Sequence, residues 1–334
     1  MEPERLIEIT RGPLLECFQV GSIAVVNESG LYLKAGDTDF VSYYRSSSKP
    51  IQILPLYSLG LDRKYGLTDE ELSIMSGSLA CSPRQMELIE NIMEKGSISP
   101  DLLIMLPCYP IWDSYATQYK LEGKSPSKLY HNCIGKHLGL ILMQREMGGD
   151  PADYWKAESP VQQEILRCLS VFTDVPREEI KVGWDGCGVP VFGVPMPNMA
   201  LSYLRLAAPD LISDPAVAAA AIRNAAVIAR HPENLMDAAS LCGVLCKDPN
   251  LIGKTGADGV YTLGLKKERI GVAVKVYDGS SAHMPLVISE ILRQLNYESE
   301  ETIQRIGDAF SADLINATGR IVGKKRAVFS LRRL

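Results

Sequence analysis

The β-rich segments of this 334-residue chain lie towards its two ends, and this placement most constrains its fold. Residues 20–26 form a β-rich run that meets the polar turn "NESG" and continues as "LYLKAGD", which predicts a hairpin. Towards the other end, "VYTLGL" and "RIGVAVKVYD" are two short β-rich runs separated by "KKE", and a helical pattern follows over residues 285–295. We therefore expect the terminal strands to form one sheet.

The middle of the chain has helical periodicity. The run "IQILPLYSLGL" after Pro50 is helical in pattern, with Pro55 and Gly60 as irregularities. Longer helical patterns follow at residues 83–95, 136–146, 160–172 and 214–230. The fold class expected is α/β, with an antiparallel sheet from both chain ends flanked by helices. A single domain is expected over residues 1–334, with a mostly helical lobe inserted at about residues 60–240.

Composition favours a small-molecule partner. Hydrophobic residues make up 46% of the chain and charged residues 22%, with a net charge of −5, so we expect no nucleic-acid or polybasic membrane surface. The start "MEPERLIEIT" lacks the layout of a secretory signal, and no apolar window reaches the roughly 18 residues of a membrane helix. We expect a cytoplasmic protein whose eight cysteines are free thiols or metal ligands.

The stretch "YRSSSKP" places three hydroxyls between two cations. Pro50 disfavours helical geometry at Lys49 but suits the first turn of a helix, so a tight turn leading into a helix is predicted. In such a turn Ser46 and Lys49 lie on one side. A lysine accepts a serine proton only when neutral, which requires burial or nearby cations such as Arg45. The alternative is a solvated serine-rich turn.

Two further motifs follow in an informative order. Ser78 closes "SGS" after the apolar run "LSIM", and Lys254 opens "KTG" before the β-rich end of the chain. S-x-x-K, a second serine motif and K-T-G are the signature of penicillin-binding proteins and serine β-lactamases. The second motif here ends in Ser78 rather than in asparagine. The alternative is a loop serine and a surface lysine.

A third group of residues indicates a metal site. "HNCIGKH" holds Cys133, Lys136 and His137, and "GWDGCG" holds Asp185 and Cys187. A borderline cation such as zinc favours thiolates, and a lysine amine is an unusual third ligand because it must lose its proton. The alternative is a pair of core thiols.

Taken together, five motifs resemble successive motifs of the L-asparaginase II family, the rhizobial-type asparaginases. They are "RSSSKPIQ", "HNCIGKH", "GWDGCG", "KTGADGV" and "GVAVKVYDG", and the similarity runs from about Arg11 to near Leu334. The resemblance implies a serine β-lactamase-like fold, in agreement with the S-x-x-K and K-T-G motifs. It also implies that Ser46 with Lys49 forms a first Ser-Lys pair and Ser78 with Lys254 a second.

The resemblance assigns the remaining residues to a zinc site and a substrate site. The implied activity is hydrolysis of L-asparagine to L-aspartate and ammonia through a serine acyl-enzyme. Zinc is expected to position substrate or stiffen the site, and the family implies a homodimer. The implied zinc ligands are Cys133, Lys136 and Cys187, and the implied substrate-binding residues are Arg45, His137 and Asp185.

Two segments depart from the family pattern. Where the family reads close to A-S-H-S-G-E, this chain has "GSLACS" at residues 77–82, which keeps the serine and loses the histidine and the Gly-Glu. The segment "HPENLMDAASLC" after residue 230 is also atypical. Alternative functions are therefore hydrolysis of glutamine, a β-lactam or another small amide, or a zinc-stabilised binding protein that has lost catalysis.

Overall fold

The computed structural model describes residues 3–334, which form two compact units. The sheet unit contains the described residues up to Ser47 together with Val194–Ala207 and Asp248–Leu334. The helical unit contains Ser48–Gly193 and Ala208–Lys247. Both units are discontinuous in sequence, because the chain leaves the sheet unit twice before it returns to complete it.

The strands and α-helices are numbered in chain order. The strands are β1 (Glu4–Arg11), β2 (Leu14–Asn27), β3 (Gly30–Ala35), β4 (Val41–Tyr43), β5 (Lys181–Trp184), β6 (Pro190–Pro195), β7 (Leu251–Gly256), β8 (Val260–Leu265), β9 (Ile270–Val276), β10 (Asp313–Ile315), β11 (Ile321–Ala327) and β12 (Arg332–Arg333). The helices are α1 (Lys49–Gln52), α2 (Leu54–Ser58), α3 (Leu61–Lys64), α4 (Asp69–Met75), α5 (Pro83–Gly96), α6 (Asp113–Leu121), α7 (Ile134–Glu146), α8 (Pro160–Thr173), α9 (Met196–Ala207), α10 (Pro215–Arg230), α11 (Leu241–Leu245), α12 (Met284–Gln294) and α13 (Glu300–Ala309).

The sheet unit is built on a nine-stranded antiparallel sheet with strands from both ends of the chain. The main order is β10-β11-β1-β2-β9-β8-β7, and β3 pairs with β2 and with β12. Ile23 pairs with Val274 and Val25 with Val272, and all four side chains are fully buried. Helix α9 packs on β9, β8 and β2, and α12 contacts β11. The predicted fold class is therefore confirmed: an antiparallel sheet from both chain ends, with helices against it.

Local sequence signals explain the helix limits in the helical unit. Pro55 and Gly60 interrupt the run after Pro50, so it forms three short helices, and Gly60 has φ +67°. Capping boxes start α4 and α5, and the Asp214 carboxylate caps α10. Helices α4, α5, α7, α8 and α10 pack against one another or against α1 and α2. Strands β5 and β6 pair as an antiparallel hairpin.

The long helical patterns are confirmed to within a few residues, as α5, α7, α8, α10 and α12. Both predicted hairpins are also present, as β2–β3 and β8–β9. All eight cysteines are free thiols. Within residues 3–334, every helix is too short or too polar to cross a lipid bilayer.

Candidate active site

Lys49 is the first residue of α1, and its amine lies in the interior of the helical unit. The side chain is fully buried, and its Nζ donates hydrogen bonds to the carbonyl oxygen of Gly77 at 2.7 Å and to Ser78 Oγ at 3.0 Å. Burial lowers the pKa of Lys49, as does the nearby Lys136 cation, while Cys133 opposes the shift. The structure thus brings together two predicted catalytic residues that lie 29 positions apart in the chain.

The segment that carries Ser78 is fixed by close backbone contacts. A Cβ atom on Gly77 would lie 2.2 Å from the carbonyl oxygen of Asn234, so only glycine fits there. The Ser78 amide donates to Leu235 O at 2.8 Å, and the Ala80 amide donates to Met236 O at 3.1 Å. The two segments that depart from the family pattern therefore pair with each other beside Ser78.

Ser46 lies in a 3-10 turn, Arg45–Ser48, that leads directly into α1, as predicted from Pro50. Its side chain is partly exposed, whereas Ser47 is fully buried and donates from Oγ to Tyr44 O at 2.7 Å. Tyr203 on α9 donates to Ser47 O at 2.7 Å and holds the turn against the sheet unit. Of the two hydroxyls, Ser46 is the one that solvent reaches.

Lys254 lies in β7, the strand at one end of the main sheet order. Its side chain is fully buried, and Nζ donates to Thr255 O at 2.9 Å. Lys254 pairs in register with Thr262 of β8. A fully buried lysine in an edge strand differs from the solvated surface lysine of the alternative interpretation.

The predicted zinc ligands form one buried cluster in the helical unit. Cys133 immediately precedes α7, Lys136 lies in its first turn, and Cys187 lies in the tight turn between β5 and β6. Lys136 Nζ lies 3.1 Å from Cys187 Sγ and 3.9 Å from Asp185 Oδ2, and Cys187 Sγ is 3.6 Å from the same carboxylate oxygen. All three predicted ligands are at most 5% exposed.

A hydrogen bond between the two thiols of this cluster shifts their pKa values in opposite directions. The hydrogen bond from Cys187 lowers the pKa of Cys133 well below its usual value, with help from the Lys49 and Lys136 cations. The same hydrogen bond, together with burial, raises the pKa of Cys187, so the charge belongs to the pair. Burial alone lowers the pKa of Lys136, but the two thiols and Asp185 outweigh it and raise that pKa.

The donor set of this cluster fits a borderline divalent cation. Two thiols and an amine converge from two elements, and zinc binds thiolates and nitrogen in this manner once the ligands lose their protons. Gly135 allows the helix to carry these groups in close packing, because its Cβ would lie 2.3 Å from Ile74 O. No group of three or more His, Cys, Asp or Glu side chains within residues 3–334 is arranged to hold a metal ion.

His137 follows Lys136 but lies in different surroundings. The ring is fully buried, its Nδ1 lies 2.7 Å from the Tyr154 hydroxyl, and its Nε2 has no hydrogen-bond partner among the described residues. Burial lowers the pKa of His137 well below its usual value. The Tyr154 hydroxyl holds the His137 ring in place, and the lowered pKa favours its neutral form. Tyr154 was not identified from the sequence because no motif marks it.

Arg45 lines a cavity of about 210 Å³ in the sheet unit. It has φ +50° and forms an ion pair with Asp258, which has φ +57°. Lys275 also lines the cavity, and its Nζ donates to Asp258 O and to Val276 O. Asp258 and Lys275 were not identified as site residues. The signal for Lys275 is a single lysine within the apolar strand "IGVAVKV".

The predicted residues therefore fall into both units. The sheet unit carries Arg45, Ser46 and Lys254. The helical unit brings Lys49 to Ser78, and it brings Lys136 to Cys187 and Asp185. The helical-unit members are Lys49, Ser78, Cys133, Lys136, His137, Asp185 and Cys187.

The chain is similar in overall structure to several solved proteins at low sequence identity. A β-lactamase from Mycobacterium bovis is 13% identical, with 82% of this chain and 94% of that chain covered and a TM-score of 0.40. A Bacillus glutaminase is 12% identical, with 84% and 92% covered and a TM-score of 0.40. A class C β-lactamase from Rhodobacter sphaeroides is 13% identical, with 87% and 93% covered and a TM-score of 0.41. Likenesses this distant carry no argument about the chemistry of this chain.

A match to a family model identifies the family of this chain, which the solved structures do not. No curated protein matches the chain. The L-asparaginase II model matches residues 7–327, which span nearly all of the sheet unit and the whole helical unit, including every predicted site residue. The chain therefore belongs to the L-asparaginase II family, and it is a hydrolase that acts on amide C–N bonds.

Proposed function

We propose that this protein hydrolyses the side-chain amide of L-asparagine through an acyl-enzyme on Ser46. The observation that supports the proposal most is the buried amine of Lys49, whose pKa is lowered by burial. Lys49 Nζ donates to Gly77 O and Ser78 Oγ, which orient the amine. Cys133 is a further hydrogen-bond partner and opposes the lowering of the pKa, while burial and the Lys136 cation favour the neutral amine that can accept a proton.

In the first half-reaction, Ser46 Oγ attacks the amide carbon while Lys49 takes the hydroxyl proton. The tetrahedral intermediate collapses, the C–N bond breaks, and Lys49 returns the proton to the leaving ammonia. Backbone N–H groups of the turn that holds Ser46 stabilise the oxyanion. In the second half-reaction, Lys49 takes a proton from water as the water oxygen attacks the acyl carbon. The bond from that carbon to Ser46 Oγ then breaks, Lys49 returns the proton to Oγ, and L-aspartate is released.

Ser78 and Lys254 are proposed to transfer protons to and from the catalytic pair. Ser78 accepts a hydrogen bond from Lys49. With Lys254 it is proposed to form the second Ser-Lys pair that the family resemblance implies, with a role in proton relay. The Lys254 side chain is fully buried. The cation that adds to the lowered pKa of Lys49 is Lys136, which with burial favours a neutral Lys49 and suits general-base catalysis near neutral pH.

The charged groups of L-asparagine need opposite charges on the enzyme. The cavity beside Arg45 carries two cations, Arg45 and Lys275, and one carboxylate, Asp258, so it suits the substrate α-carboxylate. Asp185 is proposed to meet the α-ammonium group. Cys133, Lys136 and Cys187 would hold zinc, which when bound supplies a fixed positive charge and joins α7 to the β5–β6 turn.

The decisive test is ammonia release from L-asparagine and L-glutamine by the wild type, Ser46→Ala and Ser47→Ala. Ser47→Ala is the matched control, because it removes from the same turn a buried hydroxyl that donates to Tyr44 O. We expect Ser46→Ala to lose roughly a thousandfold or more in kcat and Ser47→Ala to keep activity. Full turnover by Ser46→Ala rejects the nucleophile.

The same assay decides the substrate. Faster turnover of L-asparagine than of L-glutamine is expected. A wild type that is stabilised by L-asparagine in thermal denaturation but releases no ammonia contradicts the proposal and favours a binding protein.

A further inference from the structure

We infer that Asn224 is a positioning residue that sets the distance between Lys49 and Ser78. Asn224 lies in α10, in the helical unit, and its side chain is fully buried. The inference rests on the proposed function only for its kinetic consequence, since the hydrogen bonds that support it are independent of any reaction.

The Asn224 amide joins three parts of the helical unit. Its Nδ2 donates to Pro50 O at 2.8 Å, in α1. Its Oδ1 accepts from the Tyr57 hydroxyl at 3.0 Å, in α2, and from Ser76 Oγ at 3.3 Å, at the end of α4. One short, rigid side chain thus supplies a donor to one catalytic segment and an acceptor to the other.

These contacts close a ring around the Lys49 amine. Pro50 follows Lys49 in the chain, and Ser76 precedes Gly77 and Ser78, which accept the Lys49 hydrogen bonds. The path therefore runs from Lys49 to Pro50, through Asn224 to Ser76, and back through Gly77 to Lys49. Because α1 ends at Gln52, the Pro50 carbonyl is one of the terminal carbonyls that need a partner outside the helix.

The sequence of α10 argues against a purely architectural asparagine. The helix reads "PAVAAAAIRNAAVIAR", and alanine is the better helix former by roughly half a kcal/mol per residue. The flanking Ala225 is buried and apolar, so the interior face of α10 accepts small side chains. A buried amide among alanines is explained by the groups it joins: the turn that carries Lys49 and the segment that carries Ser78.

The test compares Asn224→Ala with a matched control, Gln144→Ala. Gln144 is also a buried amide of the helical unit. Its Oε1 accepts from Val161 N and its Nε2 donates to Asp150 O, so it contacts neither Lys49 nor Ser78 through these bonds. We expect Asn224→Ala to lower kcat roughly 10- to 100-fold with KM changed less than about threefold, because misplacing catalytic groups slows the chemical step. Gln144→Ala is expected to keep the wild-type kcat, even though its thermal stability is expected to be equal to or lower than that of Asn224→Ala.

A second measurement does not depend on turnover. The crystal structure of Asn224→Ala is expected to show Lys49 Nζ beyond hydrogen-bond distance of Ser78 Oγ. If the wild type hydrolyses no amide, the proposed function is wrong. The Lys49 Nζ to Ser78 Oγ distance in Asn224→Ala still tests whether Asn224 positions the two groups. If Asn224→Ala does not fold, Ser76→Ala removes one arm of the ring and is expected to lower kcat by roughly three- to tenfold.

Two results overturn the inference. One is an Asn224→Ala structure in which the Lys49–Ser78 hydrogen bond is unchanged. The other is an equal fall in kcat in Gln144→Ala, which would assign the loss to general destabilisation of the helical unit.

Discussion

Cys81 holds a backbone conformation that favours glycine. Its φ is +61°, its side chain is fully buried, and Sγ lies 3.2 Å from Tyr130 O. Cys81 occupies the position where the family pattern has glycine. A left-handed conformation costs a non-glycine residue about 1–2 kcal/mol. The segment beside Ser78 therefore carries a cysteine side chain on a backbone conformation that favours glycine.

This strain gives the first prediction, which contrasts two substitutions at Cys81. Cys81→Gly removes the strain but also a buried thiol, so we expect the free energy of unfolding to change by less than about 1 kcal/mol. Cys81→Val adds β-branching to the strained backbone and is expected to cost more than about 2 kcal/mol. Urea unfolding measures both. Equal stabilities would show that the conformation of residue 81 carries no strain.

Lys275 gives the second prediction, which concerns substrate affinity. Its Nζ uses two of its three N–H bonds on main-chain carbonyls, inside the cavity that Arg45 lines. Lys275→Met is expected to raise KM for L-asparagine about tenfold or more with a smaller effect on kcat, because a hydrogen bond to a charged group is worth about 1.5–3 kcal/mol. Lys267→Met, an exposed lysine of the sheet unit, is the control. An unchanged KM rejects the carboxylate site.

The site residues that the sequence identified have a spacing or a turn that marks their chemistry, and those it missed do not. Lys49 and Ser78 were found on these grounds, whereas Lys275 and Asp258 were given no role although they lie within the motifs "GVAVKVYDG" and "KTGADGV". Asn224 is a polar residue in an alanine-rich helix and Lys275 one in an apolar strand, and tertiary packing gives both their partners. Each broke the local pattern of its element, and that break was the available signal.

At the scale of elements, the cysteine cluster joins α7 to the β5–β6 hairpin. Cys133 precedes the first turn of α7, and Cys187 lies between the two strands. The hairpin is short, and two of its residues, Val182 and Trp184, expose large apolar side chains. A metal held by both elements would tie the β5–β6 turn to the first turn of α7.

The third prediction is one zinc ion per chain, held by this cluster. Metal analysis of the purified protein is expected to show the ion in the wild type and its loss in Cys133→Ser and Cys187→Ser. Cys168→Ser is the control, because this buried thiol lies in α8 outside the cluster. The two cluster variants are also expected to unfold at lower temperature. A wild type purified without any bound metal argues against the site.

The limits of the elements show what local sequence can predict. Helices α5 and α8 follow clear apolar periods, whereas α7 is buried on every side over its first three turns. Pro55 and Gly60 correctly indicated breaks. Strands β10, β11 and β12 were not predicted, because they are short or largely exposed and have no apolar run. Strand β11 pairs with β1 and β10, and β12 pairs with β3, which a local pattern does not show.

At the scale of the whole molecule, the sheet from both chain ends was predicted, but the route of the chain was not. Residues Val194–Ala207 return to the sheet unit in mid-chain and place α9 on the sheet. Within the sheet unit, Asp248 joins the segment before β7 to α13. Its Oδ2 accepts from Tyr297 at 2.7 Å and from Thr302 at 2.6 Å, and it is 8% exposed.

Asp248 gives the fourth prediction, which concerns stability and pH. Burial raises the pKa of Asp248, but the hydrogen bonds from Thr302 and Tyr297 outweigh it and lower the pKa. A lowered folded-state pKa stabilises the protein above the unfolded value of about 3.9 and loses that effect as pH falls through the folded value. Asp248→Asn is expected to cost about 1.5–3 kcal/mol near neutral pH.

The difference between Asp248→Asn and the wild type is expected to shrink as pH falls below about 4. Urea unfolding of both proteins at several pH values measures it. Asp308→Asn is the control, because Asp308 lies on α13 and its hydrogen bond to Gln304 is exposed. A constant difference across the acid range would show that the Asp248 charge contributes no stability.

The pairing of β1 with β11 also means that β1 is synthesised long before its partner strand. Thr10 and Lys324, which are hydrogen-bonded to each other, lie 314 positions apart. At roughly 5–20 residues per second, β1 leaves the ribosome some 15–60 seconds before its partner is made. The helical unit is translated within that interval, so it has time to fold first. During the same interval β1 presents an unsatisfied edge, and the nascent chain is most open to aggregation and to chaperone capture.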